Sequence, residues 1–252
     1  MTTNVLPKSI PVILFYLLFS SLSITLSGQD TTSIYRAMDS LLALSDSAYG
    51  LDIELANGKI YYQKNLYAEG SPFYKTSDWI ESKIIINGTK HQDCMMKYNI
   101  ESDELILMVS LRSGLSTTIV LDPGRVEGFY LGKEHFIASA AIDPNLFKTH
   151  FLDEIYHGNI SLLGSYSKVF IKDYNTKTPY GRYSETQTEY YLDKGGEIYK
   201  VNGKKSFLSQ FPEHKREIQR YMKQHKFKFK KAGRPDWKEL MIYCNSLEGE
   251  RS

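Results

Sequence analysis

The chain has 252 residues, of which 42% are hydrophobic and 13% are aromatic. This composition excludes the class of proteins that are too polar to build a packed core. Its formal net charge of +2 excludes no class of protein by itself, although the distribution of that charge along the chain is informative. No stretch beyond the first thirty residues is apolar enough to span a bilayer.

The first 28 residues have the layout of a secretory signal. Lys8 makes the start positive, residues 10–26 carry no charge and are mostly apolar, and the small residues Ser27 and Gly28 follow. The pattern predicts a signal peptide over residues 1–28 and an exported protein that is periplasmic, secreted or envelope-associated. The alternative is a single membrane anchor, because the apolar run is near the minimum length for crossing a bilayer.

Residues 29–56 form a polar segment for which we predict a short helix, since Ile34, Met38 and Leu41 recur at helical spacing. Three triplets in this segment, at 30–32, 39–41 and 46–48, place an Asp before a hydroxyl residue. They resemble the O-glycosylation acceptor of Bacteroidetes-type bacteria. The alternative is that Asp and Ser cap a helix here.

Residues 57–202 are punctuated like an antiparallel β-sheet. Asn-Gly pairs at 57–58, 87–88 and 202–203 suit two-residue hairpin turns, because both residues tolerate positive φ angles. The runs between the turns are rich in β-branched and aromatic residues and too closely spaced for crossover helices. We predict a mainly β (α+β) fold of about ten antiparallel strands in a curved sheet, sandwich or open barrel. The candidate strands lie at 59–63, 79–86, 92–100, 104–111, 117–121, 126–131, 135–140, 151–157, 161–170, 190–193 and 197–201.

Residues 203–252 are predicted to form a basic helical appendage at the C-terminal end of the sheet. Pro212 and Pro235 each suit the first position of a helix. Residues 226–230 alternate Lys and Phe, which predicts a short strand or an extended arm. The face expected to dock on the sheet belongs to the last helix and consists of Trp237, Leu240, Met241, Cys244 and Leu247.

Two cysteines are candidates for a disulfide in an oxidising compartment. Cys94 lies in a predicted strand and Cys244 in the last predicted helix, so the bond would tie the end of the chain to its sheet. The alternative is two separate buried thiols. Strand alternation places Cys94 on the buried face and predicts that His91 points the other way. A cysteine nucleophile needs a base beside it, so this arrangement favours a structural role for Cys94.

The run from His150 to His157 is a candidate metal site only if it is helical, because His150, Asp153, Glu154 and His157 would then share one face. As a strand, it would point the two imidazoles to opposite faces, and we favour the strand. No motif of a serine hydrolase, phosphate-binding loop, dinucleotide fold or calcium loop is present, so the sequence supplies no catalytic, cofactor-binding or metal residues.

Tyrosine is abundant, with nineteen residues in the chain. Five of them fall in or beside a predicted surface loop, and such rings could stack on sugars or peptides. The alternative, which we favour, is that the rings cover an open sheet while their hydroxyls stay in water. The five are Tyr174, Tyr180, Tyr183, Tyr190 and Tyr191.

Several short segments are similar to those of secreted envelope proteins of Bacteroidetes-type bacteria. They are Met96–Ile100 with Asp103–Leu105, Phe151–Gly158 with Leu162–Leu163, and Lys204–Leu208 with Phe211–Lys215. The resemblance implies a signal-bearing, β-rich envelope protein with a helical tail. It implies no activity and no site residues.

Positive charge is concentrated in one segment. Residues 204–234 contain eleven Lys or Arg against two acids, so this segment carries +9 and the rest of the chain carries −7. The asymmetry predicts a local positive field whose counterpart in the envelope would be anionic lipid or an acidic partner rather than nucleic acid. The alternative is a solvated helix face that neutralises the acidic sheet. The candidate binding residues are Lys215, Arg216, Arg220, Lys223, Lys226, Lys228, Lys230 and Lys231.

The sequence therefore predicts an exported, non-enzymatic envelope module with a binding or structural role. Two other functions stay open. A curved sheet could carry an apolar or lipid ligand, or convergent carboxylates from separate strands could hydrolyse an envelope glycan or polymer.

Overall fold

A computed structural model describes residues 58–110 and 116–249. The predicted signal peptide, the N-terminal helix and the three Asp-hydroxyl triplets lie outside the described residues. Within them the chain forms thirteen β-strands followed by three α-helices. The fold is therefore mainly β, as the sequence predicts.

The strands follow one another through short turns. The Asn87-Gly88 turn, with φ angles of 48° and 77°, joins the first long hairpin, as its sequence predicts. The strands are β1 (Lys59–Ile60), β2 (Ile80–Ile86), β3 (Thr89–Asn99), β4 (Glu104–Ser110), β5 (Ser116–Val120), β6 (Val126–Leu131), β7 (Glu134–Ala138), β8 (Phe151–Tyr156), β9 (Ile160–Ser167), β10 (Phe170–Ile171), β11 (Arg182–Tyr183), β12 (Gln187–Lys194) and β13 (Glu197–Val201).

Eleven of these strands form one sheet in the order β1-β5-β4-β3-β2-β6-β7-β8-β9-β12-β13, and every neighbouring pair is antiparallel. The two outer strands, β1 and β13, do not pair with each other, so the sheet is open. Strands β10 and β11 pair separately as a small ribbon. These two strands were not predicted as such, because two residues are too few to show an alternating pattern.

The apolar side chains form two principal clusters. One is built on β2 to β8 and contains the fully buried rings of Tyr98, Phe129 and Phe136. The other lies between β8, β9, β12, β13 and the helices, and includes Leu162, Leu192 and Trp237. Strand β8 contributes to both, because Phe151 belongs to the first cluster and Ile155 to the second.

The three helices are α1 (Lys204–Ser209), α2 (Lys215–Gln224) and α3 (Arg234–Gly249). Helix α3 packs on β8 and β9, α1 packs on β13, and α2 packs on both other helices. The predicted docking face of α3 is confirmed, since Trp237, Leu240, Met241 and Cys244 are fully buried. The prediction that Pro212 opens a helix is wrong, because Pro212 lies in the turn between α1 and α2 and the helix begins at Lys215.

The orientation predicted for His91 is also wrong. Cys94 pairs with Ser82 and His91 pairs with Ile84, so β3 uses one residue more than β2 between these two pairs. Asp93, with a φ of 56°, is part of this β-bulge. The extra residue moves His91 to the same buried face as Cys94.

Candidate functional site

The candidate binding residues of the sequence gather on α2 and on the arm that follows it. All eight side chains are exposed, and none lies within salt-bridge distance of a carboxylate of residues 58–110 or 116–249. We call this set the basic surface: Lys215, Arg216, Arg220, Lys223, Lys226, Lys228, Lys230 and Lys231.

The arm, residues 225–233, is held against α3 by its two phenylalanines. The rings of Phe227 and Phe229 meet the buried indole of Trp237 edge to face, at centroid distances of 5.1 and 4.9 Å. The alternating Lys and Phe residues separate, with the rings half-buried and the ammonium groups exposed. The arm contains turns, rather than being the predicted short strand or extended arm, since the carbonyl of Lys228 accepts hydrogen bonds from the amides of Lys231 and Ala232.

Helix α2 ends at the start of this arm in a Schellman motif. The amide of Phe227 donates to the carbonyl of Met222, and the amide of Lys226 donates to the carbonyl of Lys223. Lys226 occupies the left-handed position of the motif, with a φ of 52°. A non-glycine residue there costs roughly 1–2 kcal/mol of backbone strain, and the turn directs the chain back along α3.

The arm and the facing turns of α2 and α3 enclose a surface cavity of about 190 Å³. Lysines of the basic surface form one part of its wall, and the stacked rings of Tyr221 and His225, 3.9 Å apart, form another. Two carboxylates, Asp236 and Glu239, complete it. The cavity thus brings opposite charges and an aromatic wall together within the basic surface.

Arg234 is the one Lys or Arg of the 204–234 segment that is withdrawn from solvent. Its side chain is 20% exposed and forms a bidentate pair with Asp153 of β8, whose side chain is 0% exposed. The Nε atom lies 2.9 Å from Oδ2 and Nη2 lies 3.0 Å from Oδ1. This pair joins the first turn of α3 to the centre of the sheet, at the boundary between the two apolar clusters.

Further polar groups complete the surroundings of Asp153. The hydroxyl of Tyr166 donates to Oδ2 at 2.8 Å, and Glu134 lies 3.7 Å from Arg234 and is paired with Lys75. Burial raises the pKa of Asp153, and the hydrogen bond from Arg234 is the largest effect that opposes the rise. Every charge of this network has an opposite charge beside it, which gives the network a structural role in docking α3.

The run from His150 to His157 is a strand, so the helical alternative is wrong. His150 precedes β8 and its Nδ1 lies 2.7 Å from Asp103, whereas Nδ1 of His157 lies 2.9 Å from Glu154. Glu154 also meets His135 of the neighbouring strand, at 2.9 Å. Among the described residues no group of three or more His, Cys, Asp or Glu side chains has an arrangement that could hold a metal ion.

The predicted disulfide is not formed. Cys94 lies in the cluster built on β2 to β8, and Cys244 lies in the cluster under the helices, so the two buried thiols belong to different parts of the core. Burial raises the pKa of Cys244 to about 12, which keeps this thiol protonated and unreactive.

The predicted tyrosine cluster is divided by the fold. Tyr183 and Tyr191 are buried, and Tyr190 packs on Trp237 with a centroid distance of 4.7 Å. Tyr174 and Tyr180 remain exposed in the loop between β10 and β11. The five rings therefore do not form one binding platform.

Sequence reasoning missed the contacts that reach across the fold. Asp103 lies in the turn between β3 and β4, yet it accepts a hydrogen bond from the buried Tyr98 hydroxyl at 2.5 Å and meets His150 from another hairpin. The sequence marks Arg234 only as part of a charged run. Its position just before Pro235, at the start of an apolar helix face, was the available signal that it would lie beside the sheet.

Comparisons with protein families, with curated proteins and with solved structures found no match for this chain. No helix of residues 58–110 and 116–249 combines the length and the apolar character needed to cross a bilayer.

Proposed function

We propose that this chain is an exported, non-enzymatic module of the cell envelope that binds anionic lipid through the basic surface. The N-terminal pattern of a basic residue, an uncharged apolar run and small residues supports export. The observation that carries the binding proposal is the basic surface itself, with eight exposed cationic side chains on one helix and one packed arm.

The position of the carboxylates supports binding over simple neutralisation. If the basic surface served to neutralise the acidic remainder of the chain, its side chains should form ion pairs with carboxylates. Among the described residues they form none: Glu217 pairs with His214 at the start of the same helix, and Asp236 and Glu239 lie beside the arm without reaching salt-bridge distance of a lysine. The eight charges are left available to an external anion, to which each can contribute about 1 kcal/mol near a membrane surface.

The core packing bears on the alternative of a lipid carrier. Tyr98, Phe129, Phe136 and Phe151 fill the cluster on β2 to β8, with ring centroids 4.8 to 5.9 Å apart. An apolar ligand bound there would have to displace rings that are at most 1% exposed. The basic surface needs no such rearrangement to reach its ligand, so surface binding is the better-supported function.

Replacing four lysines of the arm tests the proposal. We expect Lys226→Gln, Lys228→Gln, Lys230→Gln and Lys231→Gln together to weaken binding to phosphatidylglycerol vesicles by up to roughly a thousandfold at low salt, from ~1 kcal/mol per lysine. Co-sedimentation with the vesicles measures the change. Thermal unfolding should stay close to that of the unsubstituted protein, because all four side chains are exposed.

A matched control removes the same charge from parts of the protein outside the basic surface. Lys83, Lys90, Lys133 and Lys177 are exposed and lie outside the basic surface. Their combined replacement by Gln should leave most of the vesicle binding intact. Equal losses from the two quadruple variants would mean that net charge alone governs binding and that the basic surface has no special role.

A further inference from the structure

The cavity beside the arm has features that a general anion-attracting surface does not require. It is bounded by Lys226, Lys228 and Lys231, by the ring of Tyr221 and by Glu239. Its volume of about 190 Å³ gives room for roughly a dozen water-sized groups at ~15 Å³ each. This is more space than a lone phosphate group needs.

The charges in the cavity are of two kinds. Three ammonium groups form no salt bridge with a carboxylate of the described residues. Asp236 accepts a hydrogen bond from the amide of Gly233, at 2.8 Å, at the start of α3. Glu239 forms no hydrogen bond or ion pair with another described residue. The cavity therefore presents three cations and two carboxylates, and Glu239 is the carboxylate that accepts no hydrogen bond from a described residue.

The chemistry of a ligand follows from this arrangement. A phosphate group suits the three lysines, since each ammonium can donate to phosphate oxygens. A bare phosphate would be repelled by Glu239, whereas a ligand that carries hydroxyl groups beside its phosphate could donate a hydrogen bond to that carboxylate.

We propose that the cavity between α2, the arm and α3 binds a phosphorylated sugar, with the phosphate held by Lys226, Lys228 and Lys231 and a sugar hydroxyl donating to Glu239. This assignment rests on the proposed function, because the same three lysines belong to the basic surface, and it names the ligand class of that surface. The sugar phosphate can be a soluble molecule or the headgroup of a membrane glycolipid, and both present the same groups to the cavity.

Calorimetric titration of the purified protein tests the assignment with two soluble probes, glucose 1-phosphate and inorganic phosphate. We expect glucose 1-phosphate to bind at least about tenfold more tightly, because its sugar hydroxyls can donate to Glu239 while its phosphate stays on the lysines. Inorganic phosphate should bind Glu239→Gln more tightly than it binds the unsubstituted protein, and glucose 1-phosphate should lose its advantage in affinity. Equal affinities of the unsubstituted protein for the two probes would overturn the assignment.

Two triple variants of equal charge separate the cavity from the surface around it. Lys226→Gln, Lys228→Gln and Lys231→Gln together should lower the affinity for glucose 1-phosphate at least about tenfold. Lys215→Gln, Arg216→Gln and Arg220→Gln together remove the same charge from the outer side of α2 and should leave it nearly unchanged. Equal losses would contradict a cavity site. Thermal unfolding of each variant verifies that it is folded.

A second arm uses otherwise neutral vesicles that contain lipid A, whose headgroup is a phosphorylated glucosamine disaccharide. If binding to these vesicles depends on the cavity lysines and glucose 1-phosphate displaces it, the site accepts both the soluble sugar phosphate and the glycolipid headgroup. The same dependence without any binding of glucose 1-phosphate assigns the site to the glycolipid headgroup. If neither probe depends on the cavity lysines while phosphatidylglycerol vesicles still bind, the assignment falls and the proposed function stands.

Discussion

Replacing Arg234 with Met is expected to lower the free energy of unfolding by about 3–5 kcal/mol. The substitution leaves Asp153, which is 0% exposed, as a buried carboxylate without its bidentate partner. The remaining hydrogen bond from Tyr166 cannot neutralise the charge. Urea denaturation at about pH 7.5, followed by circular dichroism, measures the loss.

The loss should depend on pH with a definite sign. Burial raises the pKa of Asp153, and removing Arg234 takes away the largest opposing effect, so the pKa in the folded variant rises further above the unfolded value of 3.8. Stability linked to a raised pKa is fully present below the unfolded pKa and is lost as the pH rises through the folded one. Arg234→Met should therefore destabilise the protein more at about pH 7.5 than at about pH 4.

Two variants control this prediction. Arg182→Met removes an exposed arginine that lies 3.9 Å from Asp173, and it should cost less than about 1 kcal/mol because such surface pairs contribute little. Asp153→Asn combined with Arg234→Met removes both buried charges and should recover part of the loss. If Arg234→Met alone proves as stable as Arg182→Met, the pair of Arg234 and Asp153 does not dock α3.

Replacing Trp237 with Ala is expected to have an effect of similar size, about 3–5 kcal/mol, because it removes a large, fully buried side chain. The indole packs against Phe207, Phe227 and Phe229, with centroids 5.6, 5.1 and 4.9 Å away. Its loss removes the surface on which the arm rests. Thermal or urea unfolding measures the stability of the variant.

The same substitution should expose the arm to proteolysis. Trypsin cleaves after lysine, and the arm between 225 and 233 has four lysines that depend on Phe227 and Phe229 for their fixed positions. We expect limited trypsin digestion to cut Trp237→Ala within this arm faster than the unsubstituted protein. Trp79→Ala is the control, since Trp79 is only half-buried and lies outside the helical cluster. Equal stability and equal cleavage of the two variants would contradict the anchoring role of Trp237.

The sheet could be predicted from the sequence because its signals are local. Each of the eleven runs predicted as strands overlaps a strand of the large sheet, and Asn87-Gly88 forms the turn of the β2–β3 hairpin. The alternation that places Cys94 on the buried face of β3 is confirmed, and Met96 and Tyr98 belong to the same buried cluster. Turn residues and period-two alternation act over a few residues, so they are legible without knowledge of the rest of the fold.

The bulge, the cysteine positions and the partner of Arg234 depend on contacts between distant parts of the chain. A single extra residue at Asp93 reverses the face of His91, and nothing in the local pattern marks it. Arg234 and Asp153 are 81 residues apart, and their pairing is fixed only when α3 docks on β8. The basic surface could be predicted because it is a contiguous run. The cavity could not be, because it needs α3 to fold back along the arm.

The most direct test of the proposed binding function is co-sedimentation of the unsubstituted protein with phosphatidylglycerol vesicles at two salt concentrations. At about 0.01 M salt the screening length is roughly 30 Å, and at about 0.15 M it is roughly 8 Å, so attraction between the basic surface and the vesicles should weaken steeply between the two. We expect binding at the lower concentration, release near the higher one, and no binding to phosphatidylcholine vesicles at either. A protein that stays in the supernatant with phosphatidylglycerol vesicles even at the lower concentration would contradict the account, and the basic surface would then be solvated surface alone.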